Sequence, residues 1–203
     1  MTIDLTNNEF YNTFADSFDK IPFEDVLIPL ILKYLPATRC DILEIGSGAG
    51  ALALWMSKLG HNVTCIEPAE EPAKKATEKG LNVCQMRFQD FPVSQEFDSI
   101  IAISSLIHIP RSEMPSQIQK MSQLLKADGI AFVSFIEGDC EGYEDPTGKG
   151  KNRFFSKFTL DELNTLLSPF FSVIDIHKIG GKRINQPFHL MVLKSVKFLR
   201  KNF

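Results

Sequence analysis

Charge of one sign is not in excess in this 203-residue sequence. Its 22 basic and 25 acidic residues leave a formal net charge of −3, so no general field draws the chain to nucleic acid or anionic lipid. Long apolar runs are missing as well. The most apolar stretch, residues 26–32, is broken by Pro29 and falls far short of the roughly 18 residues a membrane helix needs. Cysteine is scarce: Cys40, Cys65, Cys84 and Cys140 form no C-x-x-C pair, and they read as buried reduced thiols of a cytoplasmic protein. Histidine is scarce too, and none of the four lies at ligand spacing from a cysteine, so no metal site is expected. The first ten residues carry Asp4 and Glu9 and no basic cluster, unlike a secretory signal. These absences predict a cytoplasmic chain with no membrane span and no nucleic-acid partner; nothing in them fixes an oligomeric state.

What is present is an alternation of short apolar segments. Residues 41–45, 62–66, 81–86, 97–103 and 130–136 read as strands; residues 52–59, 70–79 and 113–126 read as helices. Gly60, Gly80 and Asp128-Gly129 punctuate them. Strand and helix alternating in this way predict an α/β fold, a doubly wound and mostly parallel sheet with helices on both faces. Residues 97–103 are almost continuously apolar, as a central strand covered on both sides must be. Further on, Thr159 followed by Glu162 has the spacing of a helix capping box. Residues 171–179 and 188–196 then read as two more strands. Their connection is too short for a parallel crossover, so an antiparallel hairpin is expected at the C-terminal end. Two segments stand outside this pattern. Residues 1–21 place Phe10, Tyr11, Phe14 and Phe18 at helical spacing and are expected as a lid, with the main domain over 22–203. Residues 138–158 are expected as a polar loop insert.

The most informative turn is Glu44-Ile45-Gly46-Ser47-Gly48-Ala49-Gly50, which follows a strand and opens a helix. Glycines there allow close backbone approach to a ligand and leave helix N-terminal N–H groups for a polar or anionic group. Gly46, Gly48 and Ala51 equally satisfy the G-x-G-x-x-G/A pattern of nicotinamide binders. Glu67 ends the second strand, where a carboxylate can accept from both hydroxyls of a ribose; an acid at a strand end is also an ordinary turn residue. Gln89-Asp90-Phe91, after the third strand, offers a polar acceptor beside an aromatic face, suited to adenine; a surface turn with a buried Phe has the same composition.

Together these segments resemble the ordered motif set of the class I (Rossmann-like) methyltransferases that depend on S-adenosylmethionine. The likeness spans about residues 8–195. It also includes Phe97-Asp98-Ser99-Ile100-Ile101-Ala102, His108, and Leu124-Leu125-Lys126-Ala127-Asp128-Gly129. Glu44, two residues before the first glycine, fits this family better than nicotinamide enzymes.

The resemblance implies a seven-stranded sheet of order 3-2-1-4-5-7-6 and a methyl transfer from S-adenosylmethionine, leaving S-adenosylhomocysteine. Gly46, Ser47, Gly48 and Gly50 would pass under the methionine part, with Glu44 at its amino group. Glu67, followed by Pro68, would hold the ribose; Gln89, Asp90 and Phe91 would address adenine; Ile103 and Ser104 would flank the sulfonium. Tyr11 would close over the cofactor from the lid.

Transfer from a sulfonium is an in-line displacement, so alignment and water exclusion are the main tasks. A base is needed only where the acceptor must lose a proton, and His108 is the candidate, lying past the fourth strand with a pKa near neutrality. The same histidine could equally pack a turn. In the insert, Lys149, Lys151 and Arg153 are expected to meet an anionic or polar acceptor that Tyr143 and Phe155 enclose. Relatives with this layout act on small molecules, and Ser104-Ser105-Leu106-Ile107 stands where amino methylases of nucleobases carry Asn/Asp-Pro-Pro-Tyr/Phe. The sequence therefore predicts a small-molecule methyltransferase. The alternatives are an NAD(P)-dependent oxidoreductase or an inactive S-adenosylmethionine-binding protein.

Overall fold

A computed structural model of the chain describes residues 2–180 and 186–197. Five parallel strands form the body of the sheet: β1 (Asp41–Ile45), β2 (Asn62–Ile66), β3 (Asn82–Cys84), β4 (Phe97–Ala102) and β5 (Leu125–Glu137). They lie in the order β3-β2-β1-β4-β5. Beyond β5 come β9 (Pro187–Ser195) and then β8 (Phe171–Gly180), both pairings antiparallel. The hairpin expected at the C-terminal end is therefore present, and the path reproduces the order 3-2-1-4-5-7-6. The last two strands are the eighth and ninth because the insert holds two of its own.

That insert is where the sequence reading and the fold differ most. Residues 138–158 contain β6 (Glu141–Glu144) and β7 (Arg153–Phe158), an antiparallel pair, rather than only a loop. β7 runs parallel to the end of β5, with Ile136 beside Lys157 and Glu137 beside Phe158. Every residue of β7 is buried. The polar composition of residues 138–152 conceals this, because the apolar signal is confined to Phe154, Phe155 and Phe158.

Side chains alternate along each central strand as the pleat requires. On one face Leu43, Ile45, Ile100, Ala131 and Val133 pack with Met114, Ile118 and Met121 of α5 (Met114–Leu124) and Leu163 and Leu167 of α6 (Leu160–Leu167). On the other, Ile42, Ile101, Phe132 and Val192 pack with Leu27, Leu30 and Ile31 of α2 (Glu24–Tyr34) and Leu52, Ala53 and Met56 of α3 (Ala51–Lys58). α4 (Glu70–Glu78) joins this second layer through Ala76. Each fully buried Leu or Ile contributes about 1.5–3 kcal/mol, so the two layers hold the strand ends in fixed relative positions. Helix α2 carries Pro29 inside it, where proline costs one helical hydrogen bond; burial of Leu27, Leu30 and Ile31 on both sides offsets that loss.

Helix α5 stops at Leu124, two residues before the expected end. Leu125 is already extended and opens β5. The capping box of α6 is formed: Glu162 N–H donates to Thr159 Oγ1 and Thr159 N–H donates to Glu162 Oε2. The N-terminal segment folds as α1 (Ile3–Thr13) and a short 3-10 turn, and Phe10 is 1% exposed. Ion pairs fasten it: Asp4 to Arg87 at 2.7 Å, Asp19 to Lys79 at 2.5 Å, Asp16 to Lys75, and Glu9 to Lys151 at 2.9 Å. Cys40 and Cys65 are buried as expected, whereas Cys84 is half-buried and Cys140 exposed, because β3 lies at the sheet edge and Cys140 in the turn before β6. Among the described residues, no helix is long and apolar enough to cross a membrane, and no group of His, Cys, Asp or Glu is placed to hold a metal ion.

Candidate active site

The carboxyl ends of β1, β2, β3 and β4 open into one cavity of about 680 Å³, where open α/β sheets bind ligands. Its floor is the turn between β1 and α3. Gly46 and Gly48 hold φ of 71° and 56°, in the left-handed region that side chains resist. A Cβ on Gly46 would lie 2.4 Å from Ser105 Cβ, so the turn can pass under the end of β4 only as glycine. Gly46 and Ser47 N–H both donate to Ile66 O, at 2.7 and 3.1 Å, which ties the turn to β2. Gly50 does not line the cavity. Its φ is 81°, and a Cβ there would meet Leu81 Cδ1 at 2.3 Å. It permits helix–strand packing rather than ligand approach, which corrects its assignment to the cofactor.

Two buried acids face the cavity, each 6% exposed. Glu67, past the end of β2, accepts from Gly48 N–H at 2.8 Å and Ala69 N–H at 2.9 Å. Burial pushes its carboxyl up to about 7, opposed by those two N–H groups. Glu44, on β1, is pushed up to about 8 by burial and then by the charge of Glu67. Its Oε2 has no hydrogen-bond partner. An unsatisfied buried carboxylate oxygen is costly, and a ligand ammonium group removes that cost. Ser47 and Pro68 line the same side.

Beyond β3 the wall is made by Arg87, Phe88 and Gln89. Asp90 and Phe91 do not reach it, contrary to their sequence assignment. Asp90 is exposed and turned to Arg87, accepting from Nε at 2.7 Å and Nη2 at 2.9 Å. That guanidinium holds its carboxyl below the usual range. Phe91 is buried against Phe97 in the core. The aromatic at this wall is Phe88, three residues earlier; Phe88 opens a 3-10 turn and Phe91 follows it, both buried in the same core cluster, but only Phe88 also lines the cavity.

The remaining wall comes from Ile103, Ser104, His108, Tyr11, Arg153 and neighbours. Ser104 sits at φ 55°, with its N–H donating to Ser134 Oγ at 2.8 Å. His108 Nδ1 is 2.7 Å from Phe154 O. A carbonyl only accepts, so Nδ1 carries the hydrogen and Nε2 presents a lone pair. Tyr11 hydroxyl, 2.7 Å from Nε2, therefore donates to it. Burial pushes the imidazole down to about 4, with the Arg153 charge acting in the same direction. Arg153 Nη1 donates to Tyr11 Oη at 3.1 Å. These residues lie 97 and 142 positions apart in the chain, which no sequence spacing could reveal.

The other insert residues assigned to the acceptor lie elsewhere. Lys149 is exposed, 4.0 Å over the Phe14 ring, and Lys151 pairs with Glu9. Tyr143 is 47% exposed and packs edge-on against Phe154. Phe155 is buried behind the wall, its ring 5.0 Å from that of His108. Of the three insert cations assigned to the acceptor, only Arg153 reaches the cavity.

A family profile described as a methyltransferase domain matches residues 42–129. A ubiquinone biosynthesis O-methyltransferase of Actinobacillus pleuropneumoniae serotype 7 (strain AP76) is 36% identical over 135 residues, covering 58% of this chain and 57% of that protein. The chain thus spans little more than half of that relative's length. An uncharacterized methyltransferase of Geobacillus sp. (strain WCH70) is 29% identical over 175 residues, 84% of this chain and 76% of that one. Among solved structures, the 1,6-didemethyltoxoflavin-N1-methyltransferase of Burkholderia thailandensis shares the fold. Its TM-score is 0.71 at 19% identity over 94% of this chain and 84% of that one. With the sheet order, the glycine turn and the two strand-end acids in place, the chain is similar in fold, and over residues 42–129 in sequence, to the class I (Rossmann-like) S-adenosylmethionine-dependent methyltransferases.

Proposed function

We propose that this chain transfers a methyl group from S-adenosylmethionine to a small-molecule acceptor. The observation that carries the reading is the pair of buried acids on one cavity. Glu44 presents an unpaired oxygen, which fits the cofactor's amino group. Glu67, which already accepts two backbone N–H groups, stands on the ribose side, with Pro68 beside it. Phe88 and Gln89 fit the base, Gly46 to Gly48 the methionine chain, and Ile103 and Ser104 the sulfur. The cofactor supplies an electrophilic methyl carbon on an activated leaving group. The chain's own residues align an acceptor with that carbon and shield it from water. Relatives named as methyltransferases of small molecules support an acceptor of that size.

His108 fits the role of base less well than its position in the sequence suggests. Both ring nitrogens are engaged and its pKa is pushed down to about 4, so it stays neutral and fixes the direction of the Tyr11 hydroxyl. Tyr11, between His108 and Arg153, is the polar group held toward the acceptor side.

Titration calorimetry with S-adenosylhomocysteine and with NAD tests the cofactor. Binding of the first and not the second is expected, and the reverse would overturn the reading. A product assay for S-adenosylhomocysteine across small-molecule acceptors tests turnover; binding without any product would make the chain a binding protein instead.

A further inference from the structure

Three cations line the cavity. Arg87 is paired with Asp4 and Asp90, and Lys20 is exposed. Arg153 differs from both. It is 4% exposed, its Nε has no hydrogen-bond partner, and no carboxylate lies within ion-pair distance of it among the described residues. The residues outside the described ones include no Asp or Glu. Its guanidinium rests instead on aromatic rings, 4.1 Å from the Phe10 centroid and 4.9 Å from that of Phe155, and donates once, to Tyr11. Rings compensate a buried charge only in part, and a buried cation left without a counter-charge is destabilising. A guanidinium with open donors matches a carboxylate through two parallel hydrogen bonds.

We propose that Arg153 binds a carboxylate of the methyl acceptor, so that the substrates are small carboxylic acids bound as anions. The inference rests on the methyltransferase reading and adds the substrate class. The cofactor has a carboxylate of its own, but the two positions belong to different groups of residues. Glu44, which fits the cofactor's amino group, lies on β1 and faces Glu67, while Arg153 opens β7 and is bonded to Tyr11, which in turn donates to His108 past the end of β4. The cofactor's carboxylate is one carbon from its amino group, so it belongs to the β1 side. The part of the cavity beside Tyr11 and His108 is left for the acceptor.

The test uses matched probes, benzoate against benzamide and phenylacetate against phenylacetamide, titrated into the chain with and without saturating S-adenosylhomocysteine. Each carboxylate is expected to bind at least about tenfold more tightly than its amide. Arg153→Met should abolish that preference, Arg153→Lys should retain part of it, and both should bind S-adenosylhomocysteine as the unaltered chain does. Carboxylates that bind no better than amides to the unaltered chain, including the case in which neither binds, overturn the proposal; this comparison needs no variant to fold. A preference that survives Arg153→Met also overturns it. Selective loss of S-adenosylhomocysteine affinity in Arg153→Met would assign the residue to the cofactor's carboxylate instead. An unaltered chain that binds no S-adenosylhomocysteine yet prefers carboxylates would sink the methyltransferase reading and leave the anion site standing.

Discussion

Raising the pH from 6 to 8 should tighten S-adenosylhomocysteine binding sharply. The ligand's amino group is cationic, and only the ionised Glu44 complements it. Burial and the neighbouring Glu67 push the Glu44 carboxyl up to about 8. It is then about 1% ionised at pH 6 and about half ionised at pH 8. Affinity should rise close to tenfold per unit at first and about fiftyfold in all, or about 2.3 kcal/mol. Glu67, pushed up to about 7, steepens the lower half of this range. Near pH 6.5 binding should release about one proton, which calorimetry in two buffers of different ionisation heat reads directly. In Glu44→Gln the slope should fall to whatever Glu67 alone supplies. The ligand-free fold should respond in the opposite sense. The folded state holds these protons where the unfolded chain, near the ordinary glutamate value of 4.5, has lost them. Its stability therefore falls as pH rises from about 5 to 8. A dissociation constant that stays within about threefold between pH 6 and 8, with no proton released, would refute the assignment of Glu44 to the amino group.

Glu67→Ala should weaken S-adenosylhomocysteine binding at least tenfold, about 1.4 kcal/mol, and calorimetry that finds unchanged affinity would remove Glu67 from the ribose. Gly50→Ala should destabilise the fold by about 2–4 kcal/mol in urea, the sum of a left-handed φ and overpacking against Leu81; adding Leu81→Ala should recover part of the loss. His108 should stay a neutral imidazole with its hydrogen on Nδ1 from pH 5 to 8, as nitrogen-detected NMR would show. A His108 resonance titrating near 6.5 would contradict its bonds to Tyr11 and Phe154.

Much of the site was legible because it is local. Glu44, Gly46, Ser47 and Gly48 occupy one strand–turn–helix, and the turn's backbone demands are written in its glycines. Glu67 and Ser104 each end a strand whose apolar run marks its position, so a parallel sheet brings them to one edge. Asp90 and Phe91 lie off the cavity because Arg87 turns Asp90 outward and the core holds Phe91 against Phe97. Neither effect leaves a periodic trace.

By itself the sequence determined the doubly wound sheet, the final hairpin and the acid-and-glycine edge, since alternation of apolar segments and glycine punctuation encode these within short windows; the strand order came only from the family resemblance. Tertiary structure alone decided the rest. It made two strands of the insert, left Arg153 as the insert cation at the cavity, and joined Tyr11 to His108. The last two depend on contacts between segments about a hundred residues or more apart, where burial and unpaired charge are properties of the assembled walls and not of any one stretch of chain.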